Sequence, residues 1–175
     1  DCDFVTEGVI TAMRFSRQGQ SCTAGSRLFV HESIADRLID RLSSRLKGMR
    51  VGDPLDESSD AGSLVNEKQF RRVCGFVQEA IERKPEALLL GGMPPVQGPL
   101  SKGYFFEPTL FFDLPEDVRM TREEVFGPVL SIATWKHEDE VIERANASHY
   151  GLAAFVWSRA GAPALRVAHA LDVGW

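Results

Sequence analysis

Cysteine is scarce in this chain. The 175 residues hold three, Cys2, Cys22 and Cys74, an odd number at wide spacing with no C-x-x-C pair. That excludes a disulfide framework and favours a reducing compartment, the cytoplasm. The four histidines, His31, His137, His149 and His169, form no i, i+4 pair, so no metal site is legible. No apolar run approaches the roughly 18 residues of a membrane-spanning helix. The opening Asp1-Cys2-Asp3 is acidic where a signal peptide would be basic. Lys and Arg number 20 against 25 Asp and Glu, and they are scattered rather than clustered. The net charge of −5 therefore comes with no basic footprint for nucleic acid. Repeats and low-complexity tracts are absent too.

What remains is ordinary globular composition, 43% hydrophobic and 26% charged, at a length that one domain fills. Helical and strand-like segments alternate. That pattern predicts an α/β fold, a largely parallel sheet with helices on both faces. Asp3 is expected to cap a first helix with Val5, Val9, Ile10 and Met13 on its apolar stripe, broken at Gln18-Gly19-Gln20. A strand is expected at Arg27 to Val30. Ser33 and Asp36 form an S-x-x-D cap for a helix that carries Ile34, Leu38, Leu42 and Leu46. Residues 51–63 read as loop. Asn66 and Gln69 start the next helix, with Val65 and Phe70 as its hydrophobic staple and Phe70, Val73, Val77, Ala80 and Ile81 as its buried stripe. Leu88 to Leu90 reads as a buried strand ended by Gly91-Gly92, and residues 93–103 as loop. Further strands are expected at Tyr104 to Phe112, Val129 to Trp135 and Leu152 to Trp157, with helices at Glu138 to Ala145 and Pro163 to Leu171.

Three segments invite a chemical reading. In Gly19-Gln20-Ser21-Cys22-Thr23-Ala24-Gly25 a cysteine sits among small residues after a glycine turn. Small neighbours leave room for a carbonyl to reach the sulfur, and the turn offers backbone N–H groups to an oxyanion. The alternative is a packed thiol in a tight turn. Cys74, beside Val73 and Val77, reads instead as a small buried apolar residue of a helix. In Glu123-Glu124-Val125-Phe126-Gly127-Pro128-Val129 two carboxylates precede an aromatic, a Gly-Pro turn and a strand. A carboxylate at a strand edge can accept hydrogen bonds from paired ribose hydroxyls; the alternative is a solvated acidic helix end and a core Phe. Asn146-Ala147-Ser148-His149-Tyr150-Gly151-Leu152-Ala153-Ala154 reads as a helix end, a turn and a strand, with His149 at the surface or capping.

Together these segments resemble the aldehyde dehydrogenase superfamily. The resemblance rests on Phe15, Gly19-Gln20-x-Cys22 and Arg27, then Gly103-Tyr104-x-x-x-Pro108-Thr109, then the Glu123-to-Val129 segment, then Asn146-x-x-x-Tyr150-Gly151-Leu152-Ala153, in the family's order from end to end. By that resemblance Cys22 is the nucleophile. It attacks an aldehyde carbonyl to give a thiohemiacetal, then a thioester that is hydrolysed to the acid. Its backbone N–H helps hold the oxyanion. Glu124 binds the ribose hydroxyls of NAD or NADP, Phe126 packs beside that ribose, and Ser21 and Thr23 flank the substrate pocket. Arg17 stands where members often have Asn, and Leu64 where some have Gln. The family's general-base glutamate, oxyanion asparagine and phosphate-binding glycine-rich segment precede the cysteine. Its oligomerisation strand follows the last residue here.

The resemblance therefore implies that residues 1–175 are a single catalytic domain, without the cofactor-binding domain or the C-terminal oligomerisation segment. Alone it is expected to bind no cofactor and not to turn over, and to associate through exposed apolar surface into a homo-oligomer. The expected partner is a small-molecule aldehyde, with neither nucleic acid nor membrane. Two other readings stay open, a non-catalytic structural member of the same fold and a cysteine hydrolase that uses His149 beside Asn146.

Overall fold

The computed structural model describes residues 2–175. A four-stranded sheet runs in the order β1-β4-β3-β2, built from β1 (Arg27–His31), β2 (Leu88–Leu90), β3 (Thr109–Phe112) and β4 (Val129–Trp135). β4 is central. It pairs in parallel with β1, Arg27 opposite Ser131 through His31 opposite Trp135, and with β3, Thr109 opposite Val129 through Phe112 opposite Ile132. β2 joins the far edge antiparallel to β3. The sheet is thus largely parallel, as its alternating pattern predicts.

Helices cover both faces because the inner strands are apolar on both. Leu110, Leu130 and Ile132 point to one side, into a core shared with α1 (Cys2–Met13) and α2 (Glu32–Lys47) through Val9, Met13, Leu38, Leu42 and Leu46. Phe111 and Val129 point to the other, against α3 (Glu67–Arg83) and α4 (Arg119–Arg122) through Val73, Phe76, Val77 and Met120. A strand covered on both faces reads as a continuous hydrophobic run, which is the signature of a parallel sheet. Helices α5 (Glu138–Asn146) and α6 (Gly161–Ala170) complete the chain.

Several local expectations need correction. Asp3 lies inside the first turn of α1 rather than capping it. The cap of α2 is the imidazole of His31, whose Nδ1 accepts from the Ser33 backbone N–H at 3.2 Å, so Ser33 is capped rather than capping. Asn66 does cap α3, accepting from Gln69 N–H at 2.9 Å, but Val65 is 72% exposed and makes no staple. The strand β2 is a half-exposed edge, because β3 covers one of its sides only. Tyr104 to Pro108 lies outside the ladder, which begins at Thr109. Leu152 to Trp157 forms no strand. Its Ala154 N–H donates to the Trp175 carbonyl at 2.9 Å, and Gly151 O accepts from Gly174 N–H at 2.9 Å, so these groups are used outside the sheet. Its aromatic side chains pack on small residues of and after α1. Trp157 lies where a side chain at Gly8 would need space, and Phe155 packs over Gly25.

Other motif residues are scaffold. The Arg27 guanidinium donates to the carbonyls of Ala145 (3.0 Å) and Arg144 (3.4 Å), which closes the C-terminal end of α5. Thr109 Oγ1 accepts from Gly92 N–H at 2.9 Å and fixes the turn after β2. Asn146 binds the Ala170 carbonyl through Nδ2 and the Asp172 N–H through Oδ1, both at 2.9 Å, and so ties α5 to the end of α6.

Arg119 joins α4 to α3. Its Nε donates to Glu79 Oε2 at 2.6 Å, and its guanidinium sits 4.4 Å from the Phe76 ring centre. The hydrogen bond from Arg119 holds the Glu79 carboxyl below the usual range. A depressed carboxyl contributes stability that is fully present above the ordinary glutamate value of about 4.3 and is lost as pH falls through the folded-state value. Glu79→Gln is therefore expected to lower the thermal midpoint modestly at neutral pH and to leave it unchanged in acid. A destabilisation that persists undiminished in acid would contradict this.

Candidate active site

The turn that carries Cys22 is wound by an unusual run of backbone. Arg14 and Gln18 take left-handed conformations at φ 58° and 57°, on either side of a short 3-10 turn at Phe15–Arg17, and Gly19 follows at φ 62°. Gly19 N–H donates back to the Arg14 carbonyl at 3.0 Å, and Gly25 N–H to the Ala12 carbonyl at 3.1 Å. Two glutamines anchor the turn to the segment before α3. Gln18, buried, donates from Nε2 to the Gly62 carbonyl at 2.8 Å, and Gln20 Oε1 accepts from Val65 N–H at 2.9 Å.

Cys22 is exposed at the crest of this turn. Neighbouring N–H groups find acceptors: Ser21 on Gly19 O, Thr23 on Ser21 Oγ and Ala24 on Ser21 O. The Cys22 N–H donates to no acceptor among the described residues. The flanking hydroxyls of Ser21 and Thr23 face one another at 3.1 Å and lie outside the wall of the cavity on which Cys22 opens. Cys74, by contrast, is half-buried in α3, and that burial pushes its thiol pKa up.

The second motif seats directly against the first. A Cβ on Gly19 would run into the carbonyl of Gly127, so only glycine permits the two segments to touch. Phe126 takes a left-handed φ of 59°. Gln69 Nε2 donates to the carbonyls of Val125 (3.0 Å) and Phe126 (2.9 Å), and Arg72 Nη2 to that of Glu124 (2.8 Å). Glu124 N–H faces the Tyr150 hydroxyl oxygen at 3.4 Å. Cys22, Glu123, Glu124 and Tyr150 line one cavity of about 590 Å³; Phe126 is half-buried beside it and is not part of its wall.

The residue pattern alone does not reveal Gln69, Arg72 or the Gly19–Gly127 contact. Gln69 falls three positions after the cap Asn66, where it reads as a helix-start signal, while its amide is used on a segment more than fifty positions away. His149 opens on a different cavity from Cys22, and Asn146 is engaged with α6.

The aldehyde dehydrogenase family model matches residues 1–175. The chain belongs to the aldehyde dehydrogenase family. A betaine aldehyde dehydrogenase from Brucella anthropi is 43% identical over 144 residues, which are 82% of this chain and 29% of that protein. A hydroxyisobutyraldehyde dehydrogenase from Mycolicibacterium austroafricanum is 43% identical over 159 residues, 91% of this chain and 31% of that protein. The crystal structure of an NAD-dependent aldehyde dehydrogenase from Sinorhizobium meliloti superposes with a TM-score of 0.91 at 36% identity, over 99% of this chain and 34% of that one. The chain thus spans about a third of the length of the aldehyde dehydrogenases that it matches.

Proposed function

We propose that these residues are the catalytic domain of an enzyme that oxidises an aldehyde to a carboxylic acid with NAD or NADP, and that Cys22 is its nucleophile. The observation that carries this reading is the seating of the Cys22 turn on Gly127, which puts an exposed thiol and Glu124 on one cavity. The Cys22 thiolate adds to the carbonyl carbon and forms a thiohemiacetal. The unpartnered Cys22 N–H is suited to the oxyanion that develops. A nicotinamide dinucleotide, if bound there, would supply a hydride acceptor for oxidation of the Cys22 adduct to a thioester, which water would hydrolyse to the acid. Glu124, a half-buried carboxylate on the cavity wall, has the chemistry to accept both hydroxyls of a ribose, and Phe126 stands next to it. Ser21 and Thr23 shape the turn that presents the thiol. The phosphate and adenosine contacts, the deacylating base and the oligomer contacts fall to the rest of the protein. No helix of the described residues is long and apolar enough to cross a membrane.

The test uses the protein that carries this sequence, with whatever precedes and follows it. Mixed with NAD or NADP and a panel of aldehydes it is expected to form reduced cofactor. Brief iodoacetamide treatment is expected to abolish that activity while peptide mapping finds label on Cys22, roughly ten-fold ahead of Cys74, whose thiolate forms only at higher pH. Activity that survives full labelling of Cys22, or a protein inert toward every aldehyde, would favour a non-catalytic member of the fold instead.

A further inference from the structure

The turn that holds Glu124 and Phe126 does not hold itself. Its three consecutive carbonyls, those of Glu124, Val125 and Phe126, each accept from a side chain of α3: Arg72 takes the first and Gln69 the other two. Residues 69 and 72 lie three apart on one helix and so face the same way. Phe126 sits at φ 59°, a conformation that a bulky side chain adopts only when its surroundings enforce it. Gly127, next in line, is pinned between Val73 of the same helix and Gly19 of the cysteine turn. The Gln69 amide is therefore bonded at a strained point of the chain.

We propose that Gln69 and Arg72 are positioning residues: α3 acts as a template that holds the Glu124–Phe126 turn in its left-handed form and so sets where the Glu124 carboxylate and the Phe126 ring meet a nicotinamide dinucleotide. This rests on the dehydrogenase reading above. Neither side chain is a catalytic residue, because each acts on backbone carbonyls. Without the Gln69 amide two carbonyls lose their donor, and Phe126 can relax to a negative φ, which swings its ring and the adjoining peptide off the cavity rim. The Cys22 turn keeps its own anchors at Gly62 and Val65, so the thiol keeps its reactivity. The template governs dinucleotide affinity and not aldehyde addition.

The experiment is steady-state kinetics and direct dinucleotide titration on the protein that carries this sequence, comparing wild type with Gln69→Leu, Arg72→Met and Arg72→Lys. Gln69→Leu is expected to raise KM and Kd for the dinucleotide on the order of ten-fold, with the aldehyde KM and the iodoacetamide rate at Cys22 within about two-fold of wild type. Arg72 is exposed, so Arg72→Met is expected to fold. It should weaken the dinucleotide roughly three-fold, and Arg72→Lys, which keeps a donor, should restore it. If Gln69→Leu fails to fold, the Arg72 pair decides. Unchanged dinucleotide constants in an active protein overturn the proposal and leave the functional reading intact. So does a loss confined to kcat and thermal midpoint, which a merely structural role would give. A wild-type protein that neither binds dinucleotide nor oxidises an aldehyde overturns the functional reading, and the proposal with it.

Discussion

Cys22→Ser is expected to cut aldehyde oxidation by on the order of a thousand-fold or more in the protein that carries this sequence. A hydroxyl has the reach of the thiol but little of its nucleophilicity near neutral pH, and His149 opens on another cavity. The variant is expected to fold normally. Cys22 is exposed on a turn whose anchors are Gln18, Gln20, Gly19 and Gly25, and a substitution at such a place shifts stability by about 0.5 kcal/mol or less. Steady-state rates together with a thermal melt check both halves. Retention of more than about a tenth of the activity would remove Cys22 from the nucleophile's role.

Gly19→Ala is expected to have one of the largest effects on stability of any single methyl added here. Two costs combine. A left-handed φ of 62° burdens a residue with a Cβ, and that Cβ would meet the Gly127 carbonyl, backbone that cannot rotate aside. The loss is expected to be on the order of 3 kcal/mol, a midpoint lowered by roughly 10 °C in a chain of this size. Gly98→Ala separates the two costs, because Gly98 also has a positive φ, 75°, but nothing lies within 4 Å of its added methyl. Gly98 also has a ψ of −171°, a region that a residue with a Cβ seldom enters, so Gly98→Ala is expected to cost on the order of 2 kcal/mol by conformation alone. Equal losses at both positions would show that conformation alone matters and that the two motifs do not bear on one another. In the full protein Gly19→Ala is expected to disturb Cys22 labelling and dinucleotide affinity together, since it wedges the two motifs apart.

The sheet and its helices were legible because they obey periodicity. Leu38, Leu42 and Leu46 recur every four residues and all are buried. The seven residues of β4 were bounded correctly, since their apolar run is covered on both faces. Legibility failed where an element's fate depends on a partner. Leu152 to Trp157 has the pattern of a strand, but pattern reports an extended chain and not whether a neighbour offers a free edge. The His31 cap was invisible because a ring nitrogen substitutes there for the hydroxyl that a capping box requires. In the site, residue identity pointed to Cys22, Glu124 and Phe126 through their motifs, and geometry then supplied what motifs cannot carry. That includes the amide of Gln69 and the reason for Gly19. Each of these depends on residues tens of positions away, for which spacing along one chain holds no signal.

The parallel pairing of β1 with β4 also bears on how the molecule forms. It brings together residues about 100 positions apart, Arg27 with Ser131, and the Gly19–Gly127 contact lies just beyond the same end of the pair. Closing so long a loop is among the slower events available to a chain of this kind, and nothing local rewards it until the strands dock. Helices such as α2 and α3, capped by their own neighbours, can form early. The contact between the thiol turn and the Glu124 turn forms only as the last strand docks into the middle of the sheet. A nascent or partly unfolded chain therefore carries Cys22 apart from Glu124, and the site comes into being with the closure of the sheet.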